Sequence, residues 1–465
     1  MPTQRAGWSR RDWLRGTGAG LCAAGIGRLW ADEPARFRIA TFSSDATPPL
    51  GHPLCGGWIE PAKAVDDPLR ALGIVLLPRG EKPIVLCVVD WCGILNDANQ
   101  RWRQALAEAV GTTPDRVALH TIHAHNAPFA DLRAEEMLAA GPVKQPLLDI
   151  PFFQEAVRKS AEAARKSVTE SRPLTHVGTG QARVEQVASN RRVIGLDGKV
   201  LYWRGSACKD PAARSAPDGL IDPWLKVLSF WNGDQPVTAL HYYACHPMSY
   251  YGDGRLTPDF CGLAREVMQR ENPTVHQLYF AGAGGNIAPG KYNDGSRENR
   301  PILVERMATA MRAAWKATTR TPLETLAWRN EPTRLYPRDE ADFSAEVCRK
   351  VLADESAPKA RRGHAALKLA WLERQERPFD IACLDVGVAQ VVHLPGEPFV
   401  EYQGYAQSRR PGGFVCTAGY GDDGCFYVPT ADAYPQGGYE VGVAFTSPRS
   451  EELLQSALKK VLSPA

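Results

Sequence analysis

The sequence has no internal repeat, no Cys-x-x-Cys pair, no long apolar run and little net charge. Each lack excludes something. Without a repeat, solenoid and propeller architectures fall away. Without Cys-x-x-Cys spacing, the 11 cysteines argue against a thiolate metal site. Cys87, Cys245 and Cys383 sit inside apolar, strand-like runs, where a thiol acts as a small hydrophobe. Cys416 and Cys425 are the pair best spaced for a disulfide in an oxidising compartment. No stretch reaches the roughly 20 apolar residues of a membrane span. The formal charge of +3 comes from the N-terminus, where Arg5, Arg10, Arg11, Arg15 and Arg28 face one acid, Asp12. Removing them takes five bases from 55 and one acid from 52, leaving a net of −1. That excludes an overall basic face for nucleic acid or anionic lipid.

What is present begins with an address. Ser9-Arg10-Arg11-Asp12-Trp13-Leu14-Arg15 fits the twin-arginine export pattern. A weakly apolar Gly/Ala-rich stretch follows, interrupted by Arg28 and ending at a plausible cleavage point, Ala31. The expectation is a signal peptide over 1–31, read by the twin-arginine machinery, and a mature domain over 32–465, exported from a prokaryotic cell to periplasm or medium.

Past the leader, apolar runs of strand length alternate with amphipathic segments of period 3.6. Helices are expected at Asn96 to Val110, Pro151 to Val168, Phe260 to Arg270, Pro301 to Lys316, Phe399 to Arg409 and Glu451 to Leu462. Strands are expected at Arg36 to Thr47, Leu72 to Leu77, Pro83 to Asp90, Arg116 to His125, Val237 to His246, His276 to Ala281 and Asp380 to Leu394. Residues 170–235 read as short strands and loops, and about 335–378 as an inserted pair of charged helices. The fold class is α/β: one large domain with mixed β-sheet layers flanked by helices.

The chemistry concentrates at strand ends, where α/β folds bind ligands. In Ile122-His123-Ala124-His125-Asn126, an extended chain would project His123 and His125 to one face and His120 to the other. Such a pair is either a metal site or a hydrogen-bonded polar pair. His246 ends a second apolar run, before Pro247. In Leu394-Pro395-Gly396-Glu397 a third run breaks and presents a glutamate at the start of a helix, where an acid also suits the dipole. The loop from Gly419 delivers Tyr427, which by itself reads as packing.

Taken together and in order, these blocks resemble the neutral (non-lysosomal) ceramidase family, over its N-terminal catalytic domain. The resemblance runs from about Phe37 to Tyr439. It rests on Asp45 to Gly51, the strand ending in Asp90, Ile122 to Pro128, Asn190-Arg191, Ala244 to Pro247 with Asp259 downstream, Pro395-Gly396-Glu397 and Tyr427. It implies one zinc ion held by His123, His246, Glu397 and Tyr427. It implies catalytic roles for His125 in proton transfer and Arg191 at the oxyanion, with Asp90, Asp259 and Asn286 around the substrate. The implied activity is a zinc-dependent amidohydrolase that cleaves a small-molecule or lipid N-acyl bond, ceramide-like, with zinc-activated water. The family's C-terminal immunoglobulin-like domain is not expected here. One block departs: where the family has Gly-Asp-x-Ser-Pro-Asn, this chain has Gly285-Asn286-Ile287-Ala288-Pro289-Gly290. A serine nucleophile there is excluded. The alternative is a non-catalytic, zinc-containing homologue that binds a lipid or glycan; the altered loop favours it, and the retained ligand set opposes it. A phosphate-cradling reading of Gly282 to Gly285 lacks the Lys-Ser/Thr a P-loop needs.

Overall fold

The computed structural model describes residues 35–463, so the expected leader lies outside the described residues. Three sheets carry the core. The first has the order Val117–Thr121, Ile84–Val89, Arg70–Pro78, Phe37–Asp45, Arg172–Pro173. The second runs His276–Ala281, Gln235–Tyr243, Trp224–Asn232, His176–Arg183, Thr319–Pro322. The third runs Ala327–Thr333, Phe379–Asp385, Ala389–His393, Phe414–Ala418. All are mixed, and each has one parallel pair at its end: Ile84–Val89 with Val117–Thr121, Gln235–Tyr243 with His276–Ala281, and Ala389–His393 with Phe414–Ala418.

The three parallel pairs determine where a site can form. Beyond their C-terminal ends the sheets are sewn to one another. Gly419 N donates to Ala281 O at 2.9 Å, joining the third sheet to the second, and Thr121 N donates to Tyr420 O at 2.9 Å, joining the first to the third. Six strand ends therefore open on one region. They are followed by Cys92, His123, His246, Gly282 to Gly285, Glu397 and Tyr420.

Helices cover the outer faces. Asn96–Val110 buries Ala98, Trp102, Leu106, Ala107 and Ala109 at helical spacing and stops at Gly111, φ +76°, a left-handed position that suits glycine. Ile150–Thr169 packs on the first sheet; its start is capped by Asp149, whose carboxylate accepts from Phe152 N. Asp259–Glu271 and Asn299–Lys316 pack together beside the second sheet. The expected insertion is a helical hairpin, Ala345–Ala353 and Lys359–Glu373, set between the antiparallel neighbours Ala327–Thr333 and Phe379–Asp385. It packs against Leu132–Ala140.

Three expectations change. Residues 170–235, expected to be mostly short strands and loops, hold two long strands, His176–Arg183 and Trp224–Asn232. The strand expected over Arg116 to His125 ends at Thr121, where its partner ends at Val89, and His123 takes φ +67°. His123 and His125 are therefore loop residues, not neighbours on one strand face. The ten described cysteines are free, Cys416 and Cys425 included, so the expected disulfide is not formed. Among the described residues no helix is long and apolar enough to cross a membrane.

Candidate metal centre

His123, His246 and Glu397 converge, each buried. Glu397 Oε2 lies 3.0 Å from His246 Nε2 and 3.4 Å from His123 Nε2. The Tyr427 hydroxyl is 3.3 Å from the same His246 nitrogen. Glu397 and Tyr427 are direct partners in a short parallel pairing, Glu397–Pro398 with Tyr427–Val428, so the backbone itself brings them together. The other nitrogens of both histidines are tied to backbone: His123 Nδ1 to Cys92 O at 2.7 Å, and His246 Nδ1 to Gly284 O at 2.7 Å. A carbonyl accepts only from N–H, which places the proton on Nδ1 and leaves each Nε2 lone pair facing Glu397.

This donor set fits zinc. Two ligands about 2.1 Å from one tetrahedral ion stand about 3.4 Å apart, and the three separations above lie at that value or up to 0.4 Å below it. Charge points the same way. Burial lowers His246 to about 4, despite its bond to Glu397. Burial works to raise the Glu397 carboxyl; only proton-bearing Nε2 groups on His123 and His246 would offset this and hold it below the usual range, and with their protons on Nδ1 a cation must take that role. A buried carboxylate facing a neutral imidazole is a place for a cation.

Around the three donors lies a cage. The Tyr420 ring stacks on His123, centroids 4.5 Å apart, and its hydroxyl is 3.3 Å from His246 Nδ1. Arg191 Nη1 donates to Tyr427 OH at 2.9 Å and reaches to 3.4 Å from His246 Nε2. Its guanidinium pairs with Glu440 at 3.1 Å. Burial opposes its charge, but Tyr427 and Glu440 outweigh this and keep Arg191 protonated. Trp203 and Tyr439, 43% and 49% exposed, cover the guanidinium from 5.0 and 5.4 Å and present apolar surface to solvent. The His125 ring lies 4.9 Å from His123 and 6.1 Å from His246, its Nδ1 3.1 Å from His123 O.

The remaining sequence candidates stand further out. Asp90 gives both carboxylate oxygens to Arg265, at 2.6 and 3.1 Å, in a fully buried pair. Asp259 accepts from Ser249 and Phe260, at φ +52°. Asn286 bonds Glu401 and Val400 through its side chain, while its carbonyl accepts from Arg191 N at 2.7 Å. Ala288 is fully buried and pairs with Ser189. The glycine-rich loop allows close approach: a Cβ on Gly285 would stand 2.3 Å from Glu397 O. Tyr420 and Glu440 carry no clear signal in the sequence: Tyr420 is one residue of the loop leading to Tyr427, and nothing near Glu440 marks a role.

A cavity of about 340 Å³ lies elsewhere, lined by His120, Arg103, Asp380 and His393 among others. His120 turns that way, 2.9 Å from His393 Nδ1. Within it Arg103 is paired with Asp380.

Comparison with known proteins gives the fold. No protein-family model matches the chain, and no curated protein sequence does. Among solved structures, one described as "Ceramidase complexed with C2" matches with a TM-score of 0.65 at 16% identity, over 92% of this chain and 75% of that one. The neutral ceramidase from Pseudomonas aeruginosa matches with a TM-score of 0.65 at 16% identity, over 92% of this chain and 74% of that one. The protein has a neutral ceramidase-like fold.

Proposed function

We propose that the chain is a zinc-dependent amidohydrolase of the ceramidase type, acting on an N-acyl, lipid-like substrate. The observation that carries this reading is the convergence of His123 Nε2, His246 Nε2 and Glu397 Oε2 with separations suited to one tetrahedral ion. The ceramidase-like fold supports it.

His123, His246 and Glu397 would hold the ion, with Tyr427 as the fourth ligand. Zinc, when bound, polarises an acyl carbonyl and lowers the pKa of water. The protein's own groups do the rest. Arg191, buried and charged, stabilises negative charge developing on the carbonyl oxygen, with Tyr427 OH between them as a hydrogen-bond relay. His125 accepts the proton of the attacking water at its free ring nitrogen and returns it to the leaving amine, while Nδ1–H stays on the His123 carbonyl. Asn286 fixes Arg191 through its carbonyl. Asp90 and Asp259 act at longer range, by holding the segments behind the site. Trp203 and Tyr439 offer apolar surface for an acyl chain. No serine is required, in keeping with Ala288. In this reading residues 1–31 are a twin-arginine leader and 32–465 the exported catalytic domain.

The test is hydrolysis of a panel of N-acyl compounds, ceramide among them, with and without a chelator. Turnover that the chelator stops and zinc restores is expected. Folded, zinc-loaded protein that binds members of the panel but cleaves none would favour the binding-protein reading, to which the Ala288 loop lends its one argument.

A further inference from the structure

Two cysteines and a histidine stand together beside the first cluster. Cys55 Sγ and Cys92 Sγ are 3.8 Å apart and both buried. One ring nitrogen of His125 completes the group, and the three donor atoms lie within 4.8 Å of one another. The cysteines are 37 residues apart in sequence, so no Cys-x-x-Cys pattern announces them. One short segment positions all three: Cys55 N donates to Ala127 O at 2.9 Å and Cys92 N to Pro128 O at 2.8 Å, immediately after His125. Cys55 is held at φ +48°, a conformation that favours glycine.

The sulfur separation is informative. A disulfide needs about 2.05 Å. Two thiolates on one tetrahedral ion, each bonded at about 2.3 Å, stand about 3.8 Å apart. That is the separation found. Two thiolates, a neutral imidazole and a divalent ion sum to zero charge, which a buried site tolerates.

We propose that Cys55, Cys92 and His125 form a second metal site, for a thiophilic divalent cation such as zinc or cadmium, next to the His123–His246–Glu397 cluster. Binding exchanges the two thiol protons for the ion. It also commits the His125 nitrogen that the hydrolytic reading gives to proton transfer. Resting on that reading, a filled second site silences hydrolysis without emptying the first.

Cadmium titration of the full chain tests this by ultraviolet thiolate-to-metal charge transfer, with zinc as competitor. The band is expected in the wild type, lost in Cys55→Ser and in Cys92→Ser, and kept in His246→Ala and in Cys348→Ser, a thiol in a separate packing cluster. Cadmium X-ray absorption on His246→Ala, whose first cluster no longer competes for the ion, should count two sulfur neighbours. No sulfur neighbours, or a band that survives both serine variants, overturns the site. Hydrolysis should fall at least tenfold as the site fills in wild type but not in Cys55→Ser. A protein with the sulfur signature and no hydrolysis of any N-acyl compound would keep this site and lose the hydrolytic reading.

Discussion

Replacing Gly285 by alanine should damage the metal centre through backbone alone. The new Cβ would lie 2.3 Å from Glu397 O and 3.0 Å from both Glu397 C and Pro398 O, where ordinary contact begins at 3.4 Å. These are backbone atoms, and Gly285 N is itself bonded to Pro398 O at 2.8 Å, so neither side can rotate away. Glu397 must retreat by about 1 Å, several times the roughly 0.2 Å tolerance of a metal–ligand bond. Zinc affinity should fall about 10–100-fold and turnover about 100-fold, with a stability cost of about 1–3 kcal/mol. The control is Gly404→Ala, in the helix Val400–Ser408, where a Cβ meets nothing within 4 Å. It should gain about 0.5–1 kcal/mol and leave zinc affinity unchanged. Affinity is read by competition with a chromophoric chelator, and stability by denaturant unfolding. A Gly285→Ala protein that binds zinc and turns over within twofold of wild type would refute the reasoning.

Acid should destabilise the fold through buried neutral histidines. Burial lowers His120 and His241 to about 4, below the unfolded value near 6.5, so the unfolded chain binds more protons between those limits. Their contribution is complete above about pH 6.5 and fades as pH falls toward 4, costing about 2 kcal/mol each by pH 5, which unfolding curves at pH 7 and pH 5 would reveal; equal stability at both would contradict it. Glu440→Gln should cost about 3–5 kcal/mol and slow turnover, because it strips the counter-charge from buried Arg191 and Arg192, each within 3.2 Å. A loss below 1 kcal/mol in chemical denaturation would show that the other partners of the two arginines suffice. Ala288→Ser should alter the rate less than about tenfold, about 1.4 kcal/mol of barrier, since no serine is needed; activity appearing only in that variant would sink the mechanism.

Regular amphipathic helices were legible in the sequence because their apolar spacing is local. Asn96 to Val110 forms over the expected residues, and Gly111 marks its end. Strand limits were less so. Alternation along Val117 to His125 cannot reveal that the parallel partner stops at Val89, and it is pairing that ends the strand. Residues 170–235 concealed two long strands, His176–Arg183 and Trp224–Asn232. Glycine weakens strand propensity, yet here Gly178 and Gly180 are required: a Cβ on Gly180 would stand 2.2 Å from Ala314 O, in the helix packed against that strand. In the site, histidines at the ends of apolar runs are legible in the sequence. Cys92 is not, because its carbonyl orients His123 and a carbonyl leaves no mark in a sequence. Glu440 acts on Arg191 across 249 residues of chain, and one sequence holds no trace of such a pair.

The central claim is that His123, His246 and Glu397 hold one divalent ion. The most direct measurement is elemental analysis of folded protein carrying Cys55→Ser and Cys92→Ser, which removes the proposed second site. About one zinc per chain is expected after loading and desalting, falling to near zero when His246→Ala is added. Folded protein that retains no zinc, or that retains it equally without His246, would contradict the account.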